Sequence, residues 1–192
     1  MFVQFVKSCF LSLALAFSSG CEAGELEVTE SELSPITWTD CSQQLGDHPC
    51  NFELLDQKGD TWSLYDHWGS IIILDFSAEW CGWCQVAAET TEEIQAAYKE
   101  SDLVYVTILV EDIYGNPPEQ EVLERWGETW GITAPILGGD RDMIDQDGLS
   151  GWPVTGWPRF FFIDRELTLV HELKGYNDDS LRYIIDSMIE SK

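Results

Sequence analysis

Two cysteines that follow directly on a run of apolar, β-branched residues constrain the fold more than any other feature. Residues 71–76 are short and nearly continuous in apolar character, which predicts a central strand buried on both faces. Residues 82–99 then carry apolar side chains at helical spacing. Cys81 and Cys84 therefore stand at the start of a helix, where unpaired backbone N–H groups and the positive end of the helix dipole stabilise a thiolate. This placement indicates thiol–disulfide chemistry.

Strands and helices are predicted to alternate along the rest of the folded part. Residues 51–55 and 61–64 alternate moderately around a Gln-Lys-Gly-Asp turn and predict a hairpin. The other predicted elements are strands at 103–110, 160–163 and 168–173, and helices at 117–130 and 178–190. Residues 138–158 are rich in Gly, Asp and Pro, and we expect an irregular connection there. The order predicts an α/β fold, with a central mixed β-sheet flanked by helices and an added N-terminal β-hairpin.

The acidic composition limits the classes of partner. The chain has 192 residues, enough for one domain plus a leader, and carries 35 acidic against 10 basic residues, a net charge of −25. Nucleic acid and anionic lipid surfaces are poor partners, because the attraction of phosphate that drives such binding is reversed. We attribute the charge to solubility, since no localised acidic cluster indicates that basic client proteins are steered to a site.

The amino-terminal residues have the layout of an export signal. Residues 1–20 combine a weakly positive start, an apolar run and a small-residue end, which predicts a signal peptide. The following Cys21 resembles the lipidated cysteine of a bacterial lipobox, although Ser18 replaces the usual leucine and leaves cleavage by the ordinary signal peptidase open. We expect residues 21–38 to form a lipid-anchor site and an acidic tether, and residues 39–192 the folded domain. The expected location is the periplasmic side of a bacterial membrane.

Four of the six cysteines fall in the predicted domain, and they form two pairs. Cys41 and Cys50 flank a short polar segment, and a disulfide between them closes a loop of about ten residues. Such a bond stabilises a fold by roughly 2–3 kcal/mol in the chain-entropy model, so we interpret this pair as structural. The alternative is a second redox pair that relays electrons to Cys81 and Cys84.

The segment Asp-Phe-Ser-Ala-Glu-Trp-Cys-Gly-Trp-Cys at residues 75–84 resembles the thioredoxin motif. Over roughly residues 50–190, the chain is similar to membrane-anchored thioredoxin-like reductases of bacterial periplasms, including those that serve cytochrome c maturation. A late Gly-Trp-Pro at residues 156–158, ahead of a strand that ends in Ile-Asp, completes the likeness. The resemblance implies a thioredoxin-like fold and a thiol–disulfide oxidoreductase without a cofactor. Its expected partners are client proteins with disulfides and a membrane electron donor or acceptor.

The resemblance also assigns roles to individual residues. It makes Cys81 the nucleophile and Cys84 the resolving cysteine that attacks the mixed disulfide. It makes Asp75 the buried carboxylate that takes a proton from the resolving cysteine, a task suited to a carboxyl with a raised pKa. The alternative for Asp75 is a strand-end residue bonded to nearby backbone. Pro158 corresponds to a cis-proline packed against the cysteine pair, and Trp157 offers backbone hydrogen bonds to an extended client strand.

Substrate contacts are expected from four residues around the cysteines. Trp80, Gly82, Trp83 and Trp157 are predicted to bind clients, with the three tryptophans as an aromatic rim for apolar segments or, alternatively, as part of the core. Trp83 lies between the cysteines, in the dipeptide that tunes thiolate stability and reduction potential. The direction of electron flow therefore stays open. A disulfide reductase is the first interpretation, and an oxidase or isomerase that uses the same cysteines is an alternative.

A copper-binding or metal-delivery protein of thioredoxin fold is the alternative from another functional class. Such proteins carry two cysteines separated by three residues and a distal histidine, whereas Cys81 and Cys84 are separated by two. His171 is the distal histidine to test for that role. A structural zinc site lacks its second half, because Cys41 and Cys50 are too far apart for a metal-binding pair. The Thr-x-x-Cys motif of peroxiredoxins is absent, and no metal site is predicted.

Overall fold

The computed structural model describes residues 35–146, 148 and 150–191. These residues belong to one compact unit, Pro35–Lys192. The predicted signal peptide, the lipidation site Cys21 and the tether up to residue 34 lie outside the described residues. Among the residues that are described, no helix is long and apolar enough to cross a membrane.

Seven strands and three α-helices form the described part of the chain. In chain order they are β1 (Glu53–Leu55), β2 (Thr61–Ser63), β3 (Ile71–Ala78), α1 (Gly82–Ala97), β4 (Leu103–Glu111), α2 (Gln120–Trp130), β5 (Ile136–Gly138), β6 (Arg159–Ile163), β7 (Leu169–Lys174) and α3 (Asp178–Glu190). Short 3₁₀ helices follow β2 at Leu64–His67, α1 at Lys99–Ser101 and β5 at Arg141–Met143.

Five of the strands make one mixed sheet in the order β5-β4-β3-β6-β7. β3 runs parallel to β4, and β4 runs parallel to β5, whereas β6 is antiparallel to both of its neighbours β3 and β7. β1 and β2 form a separate antiparallel hairpin. The predicted mixed sheet and the added N-terminal hairpin are confirmed.

The central strand β3 is buried along all eight residues, as its apolar run predicted. Alternate residues point to opposite faces of a sheet. Ile72 and its alternating neighbours pack in a core cluster with residues of the hairpin and with Trp152. Ile73, on the opposite face, packs with residues of α1 and α3. Because each fully buried side chain of this size contributes about 1.5–3 kcal/mol, β3 is held firmly in the middle of the domain.

Two details differ from the predicted elements. α2 begins at Gln120 and not at residue 117. A proline disfavours the helical conformation in the residue before it, so Pro118 keeps Pro117 out of the helix. Glu119 is still extended, with φ −73° and ψ 161°. The three-residue strand β5 was not predicted, since a strand this short that ends in glycine carries almost no periodic signal.

The folded part begins before the predicted boundary at residue 39. Ile36 and Trp38 pack against the core cluster. The ring of Trp38 stacks on His48 with 3.7 Å between centroids, and its indole N–H donates a hydrogen bond to the Tyr65 hydroxyl at 3.0 Å. The last residues assigned to the tether are therefore part of the packed domain.

Candidate active site

Cys81 and Cys84 form a disulfide at the first turn of α1, with 5.2 Å between their Cα atoms. Cys81 is the N-cap residue of the helix, and its Sγ accepts a hydrogen bond from the backbone N–H of Cys84 at 3.2 Å. Cys81 is 6% exposed and Cys84 is fully buried. An N–H donor and the positive end of a helix dipole stabilise a thiolate, and Cys81 is the more exposed of the two sulfurs.

An open groove with a volume of about 600 Å³ lies over Cys81. Its walls are Trp80, Gly82, Trp83, Val86 and Trp157. All four of the residues predicted to contact clients therefore lie around this groove. Trp83 is 65% exposed and Trp80 is 45% exposed, so these two rings are largely surface and not core. Exposed indoles beside a reactive sulfur form an apolar surface that is suited to peptide binding.

The far wall of the groove is supplied by the chain just before β6. The Trp157–Pro158 peptide bond is cis, which is the conformation that the thioredoxin resemblance implies. Trp157 packs against the core cluster that contains Cys81 and Cys84. The carbonyl of Pro158 accepts a hydrogen bond from the backbone N–H of Gly175 at 2.9 Å, which ties this segment to the residue after β7. The structure thus brings the cysteine pair and the Trp-Pro segment together.

Asp75 lies in the sheet beneath α1. It pairs with Thr107 across β3 and β4. On the same face of β4, Tyr105 belongs to the core cluster that includes Ala87, and Leu109 belongs to the cluster that includes Cys84. Thr107 and its partner Asp75 therefore lie between these two clusters, below the first turns of the helix that carries the cysteines.

The carboxyl group of Asp75 is 1% exposed and has two hydroxyl donors. Ser77 Oγ donates to Oδ1 at 2.7 Å, and Tyr105 Oη donates to Oδ2 at 3.1 Å. Burial raises the pKa of Asp75 from 3.8 to about 7, and the two hydrogen bonds only partly oppose that rise. Side-chain hydroxyls, and not nearby backbone, are its partners. A carboxyl with this pKa changes its protonation near neutral pH, as a proton carrier must.

Glu111 is a buried carboxylate at the site that sequence reasoning missed. It is 2% exposed and lies at the end of β4, in register with Ala78 of β3. Its Oε2 accepts a hydrogen bond from the indole N–H of Trp80 at 2.8 Å, and its Oε1 is ion-paired with Arg141. Glu111 therefore orients one wall of the groove. The available signal was its position, since parallel strands end at the same edge of a sheet.

Cys41 and Cys50 form the predicted disulfide, with 4.8 Å between their Cα atoms. The loop they close is attached to Leu169, whose backbone exchanges hydrogen bonds with Gly46 at 2.8 Å and Asp47 at 2.9 Å. Leu169 is aligned through Ile163 of β6 with Ile72, near the start of β3. Cys81 follows the other end of β3, about six residues or about 20 Å along the strand. This attachment separates the two disulfides and gives no support to a direct relay between them.

The ligands that copper binding needs are not brought together. His171 lies on β7 and is aligned through Phe162 with Ile73, near the start of β3. The end of β3 that leads to Cys81 is about 17 Å away along the strand. Within the residues described by the structure, no group of three or more His, Cys, Asp and Glu side chains is arranged to hold a metal ion.

Comparison with known proteins identifies the family of the chain. The model of the AhpC/TSA family matches residues 45–172. Thiol-disulfide oxidoreductase ResA of Geobacillus kaustophilus (strain HTA426) is 28% identical over 115 residues, which span 60% of each protein, so the match covers less than two thirds of that relative.

Solved structures show the same fold. A thiol:disulfide interchange protein of the thioredoxin family from Chlorobium tepidum TLS superposes with a TM-score of 0.61 at 17% identity, over 79% of this chain and 99% of that chain. The exposed lipoprotein thioredoxin Etrx1 of Streptococcus pneumoniae strain TIGR4 gives a TM-score of 0.56 at 27% identity, over 72% of this chain and 99% of that chain. The predicted thioredoxin-like fold is confirmed.

Proposed function

The chain belongs to the AhpC/TSA family and has the thioredoxin fold, and from that premise we propose that it is a thiol–disulfide oxidoreductase that reduces client protein disulfides. The observation that carries the proposal is the Cys81–Cys84 pair, which opens a helix at the floor of a groove walled by exposed tryptophans. ResA, a relative by sequence, is itself named a thiol-disulfide oxidoreductase.

The proposed reaction has two exchange steps. In the first, the Cys81 thiolate attacks one sulfur of a client disulfide, which forms a mixed disulfide and releases the other client sulfur as a thiolate. In the second, Cys84 gives its proton to Asp75 and attacks the sulfur of Cys81. The bond from Cys81 to the client breaks, the Cys81–Cys84 disulfide forms, and the client leaves as a thiolate that takes up a proton. The client gains two electrons, which the cysteine pair loses.

The groove favours a client segment that is extended and apolar. Trp83 and Trp80 present indole rings on one side of Cys81, and Trp157 supplies the opposite wall next to the cis-proline. An extended strand laid along Trp157 positions a client sulfur over Cys81, with its apolar neighbours against the rings. No cofactor is required, because the electrons come from the two thiols.

Reduction of many clients requires a source of electrons, and we assign this to a membrane donor outside the cytoplasm. The export signal at residues 1–20 and the lipobox-like Cys21 support an exported, lipid-anchored protein on the periplasmic side of a bacterial membrane. The Cys41–Cys50 disulfide is consistent with an oxidising compartment. The pneumococcal neighbour, whose own description is an exposed lipoprotein, supports the same location.

The direction of electron flow is tested by the reduction potential of the Cys81–Cys84 pair. The mature domain is equilibrated with dithiothreitol or glutathione buffers, and the oxidised fraction is measured by thiol labelling. A value near −270 mV supports a reductase, whereas a value near −120 mV identifies a strong oxidant and replaces our proposal with disulfide formation. A pair that does not cycle at all refutes the oxidoreductase assignment.

The roles of the two cysteines are tested by trapping. Replacing Cys84 with Ser removes the resolving thiol, so the variant is expected to accumulate a mixed disulfide with a client through Cys81. The matched control carries Ser at Cys81 and keeps Cys84. Mixed disulfides that form equally well in the control contradict the assignment of Cys81 as the nucleophile.

A further inference from the structure

Buried polar side chains are concentrated beneath the cysteine-bearing helix. Within the described residues, the buried polar or charged side chains are Ser63, Asp75, Ser77, Thr91, Thr107 and Glu111. Ser77 and Thr107 lie beside Asp75 on β3 and β4, and Thr91 projects from α1 toward the same place. Tyr105, which is 1% exposed, adds a hydroxyl group to this set. A polar cluster this deep in the core requires an explanation, because unpaired buried polar groups are costly.

The hydroxyl of Tyr105 is the link between Asp75 and α1. It donates to Asp75 Oδ2 at 3.1 Å, and Thr91 of α1 lies close enough to influence its pKa. Burial raises the pKa of Tyr105 well above its ordinary value of 10, so the hydroxyl keeps its proton at neutral pH. A protonated phenol can donate a hydrogen bond to the carboxylate. It favours the charged form of Asp75 and holds one carboxylate oxygen in a set direction.

We propose that Tyr105 is a positioning residue for the reaction, which orients Asp75 and keeps it able to accept the proton of Cys84. This inference rests on the proposed function, in which Asp75 assists the resolving step. Tyr105 contacts neither the client nor the sulfurs in this scheme. It acts through the Asp75 carboxylate, from the neighbouring strand.

The polar groups around Asp75 and Tyr105 come from several elements and carry no charge at neutral pH: Ser77 on β3, Thr107 on β4, Thr91 on α1, and Tyr176 just before α3. Ser77 is the second donor to Asp75. Burial and these two hydrogen bonds govern the pKa of Asp75, with no charged neighbour among its causes. Loss of the hydrogen bond from Ser77 or Tyr105 is therefore expected to change the pKa of Asp75, which a titration of that carboxyl group measures.

Thr107 offers a matched control. Its Oγ1 is buried next to Asp75 but has no hydrogen-bond partner in the described structure. The Thr107→Val variant removes a buried hydroxyl from β4, the strand that carries Tyr105, and keeps nearly the same side-chain volume. It removes no hydrogen-bond donor from Asp75. The test variants are Tyr105→Phe, which removes only the phenolic oxygen, and Ser77→Ala, which removes the other donor.

Two measurements are made on each variant. Titration of the Asp75 side-chain carbon by NMR, in the oxidised protein, reports the pKa of the carboxyl group directly. Stopped-flow single turnovers of the reduced protein, with a saturating peptide disulfide, report how the resolving rate depends on pH. In Tyr105→Phe we expect the pKa of Asp75 to rise by about one unit, because a donor to the charged form is lost. The resolving rate is then expected to fall about fivefold at pH 7 and by only about a tenth at pH 9.

The outcomes separate this inference from the proposed function. A shift in both readouts for Tyr105→Phe, with Thr107→Val unchanged, supports the role of Tyr105. If Tyr105→Phe shifts neither readout while Asp75→Asn slows the resolving step, the inference is overturned and the function of Asp75 stands. If Asp75→Asn leaves the resolving rate unchanged at all pH values, the role of Asp75 itself is wrong, and the inference falls with it.

Discussion

Replacing Asp75 with Asn is expected to stabilise the folded protein, and to do so more strongly as the pH rises. The folded state holds the proton of Asp75 with a pKa of about 7, whereas the ordinary value of 3.8 applies once the chain unfolds. The folded state therefore binds more protons than the unfolded state between these values, and its stability decreases as the pH rises through that window. An Asn side chain has nearly the same shape and carries no titrating proton, so the variant loses this dependence.

The size of the effect follows from the same two pKa values. One pKa unit corresponds to 1.36 kcal/mol, so a difference of about three units makes the charged carboxylate cost about 4 kcal/mol above pH 7. At pH 5 Asp75 is still protonated in the folded protein but has lost its proton in the unfolded chain, and this difference destabilises the fold by about 2 kcal/mol. We expect the free energy of unfolding of Asp75→Asn to exceed that of the unchanged protein by these amounts at pH 8 and pH 5.

The assay is equilibrium unfolding in urea at several pH values, with the Cys81–Cys84 disulfide closed in both proteins. The quantity that tests the reasoning is the pH dependence of the difference between the two proteins. His67, whose pKa is lowered by burial, titrates in both and cancels in that difference. A difference that stays constant from pH 5 to pH 8 refutes the assignment of a raised pKa to Asp75.

A second substitution at the same position shows why Asn is the suitable change. Leu at position 75 also removes the charge, but it leaves the hydroxyls of Ser77 and Tyr105 without their acceptor in a buried site. Each unpaired hydroxyl costs about 1–3 kcal/mol. We therefore expect Asp75→Leu to gain less stability at pH 8 than Asp75→Asn, and to be less stable than the unchanged protein at pH 5.

Three further predictions concern the second disulfide and the groove. Replacing both Cys41 and Cys50 with Ala is expected to lower the free energy of unfolding by about 2–3 kcal/mol in urea titrations, while thiol labelling still finds a reversible Cys81–Cys84 pair; loss of redox cycling contradicts the structural role. Trp83→Ala is expected to raise KM for a peptide disulfide about tenfold, with the rate toward a small aromatic disulfide unchanged, and equal effects on both substrates argue against client contact. Glu111→Leu removes the acceptor of the Trp80 indole and is expected to weaken client binding severalfold in peptide titrations, whereas Glu111→Gln keeps an acceptor and recovers most of it.

The central part of the fold is predictable from the sequence because its signal is local and strong. The apolar run at residues 71–76 is long enough to identify a buried strand, and the helical spacing after Cys81 identifies α1. The elements that the sequence does not predict depend on a few residues, such as the three-residue strand β5, which pairs with β4. Pairing of this kind joins residues distant in sequence, and local periodicity does not record it.

The candidate site divides in the same way. The cysteines, the Trp-Pro segment and Asp75 were predicted, because they stand in a motif or at a marked position in it. Tyr105 and Glu111 were not predicted, since each acts through a contact made across strands. In the sequence, Tyr105 is indistinguishable from any aromatic residue of a buried strand. Its register pairs it with Ile73, and only the hydrogen bond from its hydroxyl to Asp75 indicates the role that we propose for it.

In the proposed mechanism, proton chemistry and not stability explains why residue 75 is an aspartate. A buried carboxylate with two donors still costs about 4 kcal/mol at pH 8, a large fraction of the 5–15 kcal/mol that stabilises a typical domain. The apolar strands on both sides of Asp75 offset this cost, and they also exclude the water that would otherwise lower its pKa. The pKa of Asp75 lies near 7 because the apolar sheet around it excludes water. The same burial that destabilises the fold thus fits Asp75 to exchange a proton with Cys84, and variants that relieve the cost are expected to resolve mixed disulfides more slowly.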